Sequence, residues 1–314
     1  MTHLRKLILM ALLALPLAFA VGCGDDDSNG NGDGNGDDNG DDNGDPNPGT
    51  KVDLEKHCSG GAEAWNLSRL VISGEGVTYG FNLDGHVTGD NEPKTPATGC
   101  GIADGNPEGI DNSLAGLLDM VALLGSDEEE EEVDINAIIQ EAIDSGSIEV
   151  IGYIRGYDPD GDNDEVELTL VINGYEYDEL VNVKGTVEGG KIVATLERLP
   201  LTLSGIELDL GEEPVELNLT INIFDVKVEI DEPGNETSAE AMLGGGVQVA
   251  GEGGLKADLE SLINDLGFGE MIDELGGLDT LLDLFLDHSS DGASCDSLTV
   301  GASVTFTYNN ELCN

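Results

Sequence analysis

Two groups of acidic side chains are spaced to hold a cation. In Asp158-Pro159-Asp160-Gly161-Asp162-Asn163-Asp164, carboxylates stand at alternate positions between two predicted strands. Short loops wrap calcium in oxygen ligands with this pattern. A calcium loop of the EF-hand kind also needs a glycine at its sharp turn and a closing bidentate glutamate, and Asn163 and Thr169 occupy those places here. A polar hairpin turn accounts for the same residues. The second group joins Asp84, Asp90, Asp104, Glu108 and Asp111, provided the loop carrying Cys100 folds back on the strand before it. Turn and cap chemistry is its competing explanation, because Asp111 and Asn112 precede an apolar-periodic segment and can take its first N–H groups. Calcium is thus the cofactor the chain suggests, with Asp84, Asp104, Asp111, Asp158, Asp160 and Asp162 as its candidate ligands.

Other catalytic patterns do not assemble. The chain contains no Gly-x-Ser-x-Gly elbow, no His-Glu-x-x-His helix and no phosphate-cradling Gly-x-x-x-x-Gly-Lys loop. In Gly251-Glu252-Gly253-Gly254, Lys256 stands where a dinucleotide motif needs its third glycine. His57, His86 and His288 could each serve a hydrolytic triad, but no local motif names a nucleophile, and surface positions are the simpler expectation. A glycosidase needs only two well-placed carboxylates, and 65 Asp and Glu leave no pair singled out.

The charge balance restricts partners more firmly. Twelve Lys and Arg oppose those acidic residues, for a formal net charge of −53. Phosphate backbones would be repelled, which excludes nucleic acid, and anionic headgroups would push the body away from a bilayer. Such self-repulsion calls for screening by salt or divalent cations, or reflects a surface tuned for solubility.

The leader supplies a different route to the membrane. Arg5 and Lys6 precede the apolar run Leu7 to Ala20, broken by Pro16. This is the layout of a secretory signal and too short for a spanning helix. Ala20-Val21-Gly22-Cys23 resembles the bacterial lipobox, with Ala20 where that pattern prefers Leu. The resemblance implies cleavage before Cys23 and acylation of it, each buried CH₂ contributing about 0.8 kcal/mol of anchoring. Residues 1–22 are then a signal peptide and 23–50 a lipidated, acidic tether. Asp-Asp-Asn-Gly stands twice, at 37–40 and 41–44. This low-complexity stretch lacks the apolar residues for a core and should reach roughly 30 Å. Asp25, Asp26 and Asp27 resemble the acidic residues that accompany surface display in some Gram-negative groups. The expected location is the outer membrane, on its periplasmic or cell-surface side.

Four further cysteines remain: Cys58, Cys100, Cys295 and Cys313. An even number in an exported chain argues for two disulfides. Four cysteines allow three connectivities, and proximity in sequence favours Cys58–Cys100 with Cys295–Cys313. Zinc is the alternative, but no pair has close ligand spacing.

The elements that must position these residues follow from periodicity. Val77, Tyr79, Phe81 and Leu83 alternate with polar or small residues as in a half-buried strand, with Leu70-Val71-Ile72 as its hairpin partner. Leu114, Leu117, Leu118 and Val121 predict one helix, and Ile135, Ile138, Ile139 and Ala142 a second. The acidic run 127–132 between them reads as a solvated loop. Strands dominate 147–250. Ile206, Leu208 and Leu210 should face Val215, Leu217 and Leu219 across Gly211-Glu212-Glu213-Pro214. Further from the turn the inward set shifts parity to Leu199, Leu201 and Leu203, and to Phe224, Val226 and Val228, which predicts a bulge shared by both strands. Leu255, Leu259, Leu262 and Ile263 predict a helix, and Met271 to Phe285 another, interrupted at Gly276-Gly277. A last strand should run from Leu298 to Tyr308. The expected fold is a single α+β ectodomain over residues 51–314: a curved antiparallel β-sheet or sandwich with two helical pairs packed on it.

Gly80-Phe81-Asn82-Leu83-Asp84-Gly85, Gly109-Ile110-Asp111-Asn112 and Cys295-Asp296-Ser297 resemble segments of envelope lipoproteins of myxobacterial type, a resemblance that implies no activity. The leading expectation is a non-catalytic binding or scaffolding ectodomain with a protein or glycan partner. The alternatives are an extracellular carbohydrate-active hydrolase and a lipid-handling protein, in which sheet and helices enclose an apolar cavity.

Overall fold

The computed structural model describes residues 49–74, 77–88, 94–100, 108–116, 135–157, 165–209, 214–231, 237–249, 254–265, 272–273, 276–309 and 311–313. Cys23, the leader, most of the tether, Asp90, Asp104 and the 158–164 loop with Asp158, Asp160 and Asp162 lie outside the described residues. So do the acidic run 127–132 and the turn residues 211–213.

Among the described residues eight long strands are present: β1 (Glu63–Val71), β2 (Val150–Arg155), β3 (Val166–Ile172), β4 (Val183–Glu188), β5 (Lys191–Asp209), β6 (Pro214–Asp231), β7 (Ser238–Gln248) and β8 (Ser297–Tyr308). Each pairs antiparallel with the next, from β1–β2 through β7–β8. β8 then returns to β1, with Ser303 opposite Val71 and Tyr308 opposite Trp65. The result is a closed eight-stranded up-and-down barrel. This corrects the expected sheet or sandwich with two helical pairs. Strict alternation suits a half-buried strand in a sandwich or a barrel alike. Closure is decided by the β8–β1 ladder, which joins opposite ends of the chain and leaves no local period.

Helices are few among the described residues: α1 (Ile135–Asp144), α2 (Leu255–Asp265) and α3 (Leu278–Asp283), with one further turn at 113–116. Leu255 and Leu259 of α2, Leu282 of α3 and Leu286 pack with Ile223, Leu298 and Val300 in one apolar cluster. Gly277, with φ +87°, starts α3 and marks the predicted break.

Two strand expectations change in detail. Only Val77–Thr78 of the predicted 77–83 strand is extended, in a two-residue ladder with Ser73–Gly74. Val77 is 50% exposed. On β5 and β6, inward residues shift from Leu196 to Leu199 and from Val226 to Ile223, opposite one another. Phe224 therefore faces outward, its ring 5.7 Å from that of His288. Asp225 takes the turn at φ +50°. A second register shift, between Leu217 and Leu219, belongs to the outer part of the hairpin.

The disulfides are Cys58–Cys313 and Cys100–Cys295, with Cα–Cα distances of 5.0 and 5.4 Å. The proximity pairing is thereby corrected. Barrel closure brings the two ends of the chain together, so each bridge spans nearly the whole fold. The first packs outside the wall beside Ala64 and Ile151. Nearby, Glu176 lies 2.7 Å from Lys56 Nζ and 2.8 Å from His57 Nε2, the latter an ion-pair contact without hydrogen-bond alignment. Burial pushes the Glu176 carboxyl up, but Lys56 and His57 outweigh it and hold it below its usual range.

Candidate functional site

The barrel lumen is the most distinctive chemical environment in the molecule. Alternation points Trp65 and Leu67 of β1 inward and, past a one-residue bulge at Ser68, Leu70, together with Val300, Ala302, Val304 and Phe306 of β8. The other strands contribute Val, Leu, Ile and Ala in the same way. Large and small residues face each other across the ladders: Trp65 opposite Gly152, Phe306 opposite Ala239, Val304 opposite Ala241, Leu243 opposite Ala302. The small members leave a cavity of about 150 Å³. An eight-stranded barrel is just wide enough to be filled by side chains or to hold one small ligand. An apolar void of this size stays dry and accepts small apolar molecules.

One stretch of wall is not sheet. β1–β2 pairing covers Glu63–Asn66 against Ile151–Ile154, although β1 continues to Val71. Helix α1 occupies the gap. Gln140 Nε2 donates to the Ser68 carbonyl at 3.0 Å, and Ile72 N donates to Asn136 Oδ1 at 3.2 Å. These amides satisfy backbone groups that a neighbouring strand would otherwise pair. The apolar face of the same helix puts Ile139 and Ile143 into the lumen, Ile139 fully buried.

The lining carries very few polar groups. Tyr153 packs its ring outside the wall with Ala64 and Ile151, where Oη donates to the Leu54 carbonyl at 2.9 Å, and Asn173 Oδ1 accepts from Glu149 N at 2.8 Å. Trp65 is 3% exposed, and its Nε1–H has no acceptor. Its ring lies tilted against Tyr308, with centroids 5.2 Å apart.

A second, polar assembly covers the outer face of β7 and β8. Outward glycines make that face flat: a Cβ at Gly301 would overlap the Tyr79 backbone, and one at Gly246 the Phe224 ring. Asn112 Nδ2 reaches the carbonyls of Ile72, Tyr79 and Gly301 at 3.1, 3.0 and 3.0 Å, so its two hydrogens serve three acceptors. Beside it, Thr299 N donates to Ser113 Oγ at 2.9 Å, and Ser113 Oγ donates to Asp287 Oδ1 at 2.9 Å. Thr299 Oγ1 donates to Asp287 Oδ2. Burial pushes the Asp287 carboxyl up to about 7, against the hydrogen bonds from Thr299 and Ser113. The carboxyl already takes hydrogen from both hydroxyls, which makes this a structural clamp.

The predicted acidic cluster is met in part. Asp84 and Asp111 come together: Asp111 Oδ2 accepts from Leu83 N at 2.6 Å and Asp84 N at 3.2 Å. Asp84 Oδ1 takes the His86 N–H at 2.7 Å. Burial, then the nearby Asp84 charge, pushes the Asp111 carboxyl up to about 8. These contacts shape a turn, and on the helical side it is Asn112 whose Oδ1 takes the Ala115 N–H at 3.3 Å. Among the described residues no three His, Cys, Asp or Glu side chains are grouped to hold a metal ion.

Two of the histidines, His57 and His288, are not free surface groups. His57 is buried, and His288 lies half-buried on Phe224 with its pKa lowered by burial. Sequence reasoning missed Trp65, Ser113, Asp287 and Thr299. The signal for Thr299 was present in Leu298-Thr299-Val300, where a polar residue interrupts an apolar run at the opposite parity. Asp287, between Leu286 and His288, carries no such mark.

No protein-family model, curated protein or solved structure matches this chain. Among the described residues no helix is long and apolar enough to cross a membrane.

Proposed function

We propose that this protein binds a small apolar molecule inside its barrel and is held at a membrane through the acylated Cys23. The observation that carries the binding reading is the cavity of about 150 Å³, lined almost entirely by hydrocarbon, in a closed barrel. Close-packed interiors contain few voids larger than a water molecule, and a void of this size lowers stability, a cost that a bound guest would offset. Among the readings offered by sequence, a non-catalytic binding ectodomain gains most from this, with a guest about the size of benzene rather than a whole lipid. Two disulfides support an oxidising compartment and hence export. A tether explains how so acidic a body stays beside a bilayer that repels it.

The chain has one tryptophan, and it lines the cavity. Titration with cyclohexane should therefore give a saturable change in intrinsic fluorescence. The change should vanish in Ala241→Phe, which fills the lumen. A linear, non-saturating response, equal in both proteins, would remove the binding reading. Anchoring is tested separately: a fatty-acid analogue should label the wild type and not Cys23→Ser.

A further inference from the structure

The barrel wall is held together in two ways. A seam such as β5–β6 or β7–β8 is a run of backbone hydrogen bonds, and parting it means breaking many at once. Residues 67–71 of β1 carry no β2 ladder, and α1 stands beside them instead. Its latch is made by side chains: Gln140 Nε2 on the Ser68 carbonyl, and Asn136 Oδ1 under Ile72 N. Ile139 and Ile143 face the apolar cluster of the lumen. Ala137, Glu141 and Asp144, on the opposite face of the helix, are exposed, which leaves its solvent side open to an outward swing.

The C-terminal end of this helix has the parts of a hinge. Gly146, at φ +77°, donates to the Ile143 carbonyl at 3.0 Å, and Ile148 N donates to the Ala142 carbonyl at 3.0 Å. A Cβ at Gly146 would meet nothing within 4 Å, so glycine serves there for its backbone angle alone. Just beyond, the chain is pinned. Asn173 N donates to the Glu149 carbonyl and Glu149 N to Asn173 Oδ1, both at 2.8 Å, tying the approach to β2 to the end of β3. Hinges are element-terminal residues of this sort, which absorb a backbone change beside a fixed anchor.

Resting on the cavity reading above, we propose that α1 is the gate through which the apolar guest enters and leaves the lumen, turning about Gly146 while the sheet stays closed. Folded proteins open first where few bonds hold a segment, and the latch is weaker than any strand seam. When the helix lifts, water takes over the Ser68 carbonyl and the Ile72 N–H, so neither is left unpaired. Ile139 and Ile143 are both the inner face of the gate and part of the lining. A guest in the lumen therefore meets hydrocarbon until the helix has moved.

The test is the exchange rate of cyclohexane, followed by stopped-flow tryptophan fluorescence in the full chain. Gln140→Leu keeps the bulk of the side chain and cuts the bond to Ser68. Association and dissociation should both quicken about tenfold, equivalent to about 1.4 kcal/mol, with Kd changed by less than about twofold. Amide hydrogen exchange should rise over α1 and not over β8. Ser113→Ala, in the outer assembly, controls for general loss of stability and should leave both rates unmoved. If Gln140→Leu does not fold, Asn136→Leu cuts the other half of the latch and takes its place. Unchanged guest rates, a dissociation rate that rises alone, or equal acceleration by Ser113→Ala would overturn the gate while leaving the cavity reading intact. A wild type without a saturable fluorescence change would overturn the cavity reading, and the gate with it.

Discussion

The two faces of β8 treat polar groups in opposite ways. Val300, Ala302 and Val304 look into a lumen with unfilled space and an unpaired indole N–H nearby. Thr299 and Gly301 look outward into an assembly where Ser113, Asp287 and Asn112 are all hydrogen-bonded. The difference teaches why the void can persist. A cavity costs most where its lining cannot relax, and here the wall is fixed from outside by a bonded polar layer and by Cys100–Cys295. A rigid exterior lets the interior stay underfilled and ready for a guest.

The sharpest way to break this contrast is to cut the staples. Reducing Cys58–Cys313 and Cys100–Cys295, which span separations of 255 and 195 residues, should cost about 5 kcal/mol each by loop-closure entropy. Thermal unfolding of reduced protein should show a Tm lower by more than ten degrees, and an unchanged Tm would refute the pairing. Next in size, Asp287→Ala leaves the Ser113 and Thr299 hydroxyls without their acceptor and should destabilise by about 2–3 kcal/mol. Denaturant titration should show that loss, with Asp287→Asn losing much less.

The same clamp has a pH signature. Asp287 and Asp111 are carboxyls held up at about 7 and about 8 in the folded state, above the ordinary 3.8. The folded chain therefore holds protons that the unfolded chain has released, so stability falls as pH rises from about 4 to about 8 and then levels. General repulsion among the acidic residues runs in the same direction, but salt screens it. In high salt, Tm should still fall between pH 5 and pH 8, and less steeply in Asp287→Asn. A wild-type profile that is flat or rises across this range would contradict the buried clamp.

A smaller effect comes from inside. Ala241→Leu ordinarily overpacks a core, but in a real void it should stabilise by up to about 1 kcal/mol. A lower Tm would mean the lumen is already full. Smallest of all, Lys184→Ala removes an exposed partner of Glu167 on the outer wall and should leave Tm unmoved, since surface pairs contribute little.

Much of the strand content was legible because alternation is a local property. β6, β8 and the outer β5–β6 hairpin follow from it directly, and α2 from its three-and-four spacing. What periodicity could not carry was long-range choice. The β8–β1 ladder and both disulfides join residues from opposite ends of the chain. Tyr79, Phe81 and Leu83 alternate as in a strand, yet Asp111 captures the Leu83 and Asp84 N–H groups and bends that segment into a loop. The cavity was illegible for a related reason. Ala239, Ala241, Gly152 and Ala302 look unremarkable in sequence, and their small volumes matter only once closure sets them around one lumen.

The central claim, an apolar guest site in a closed barrel, is tested most directly by crystals of the protein held under xenon pressure. Xenon enters preformed apolar cavities and needs no hydrogen bond. The account predicts an anomalous peak inside the barrel, among Ala241, Ala302 and Val304. A lumen closed by side chains, with xenon found only at the surface, would contradict it.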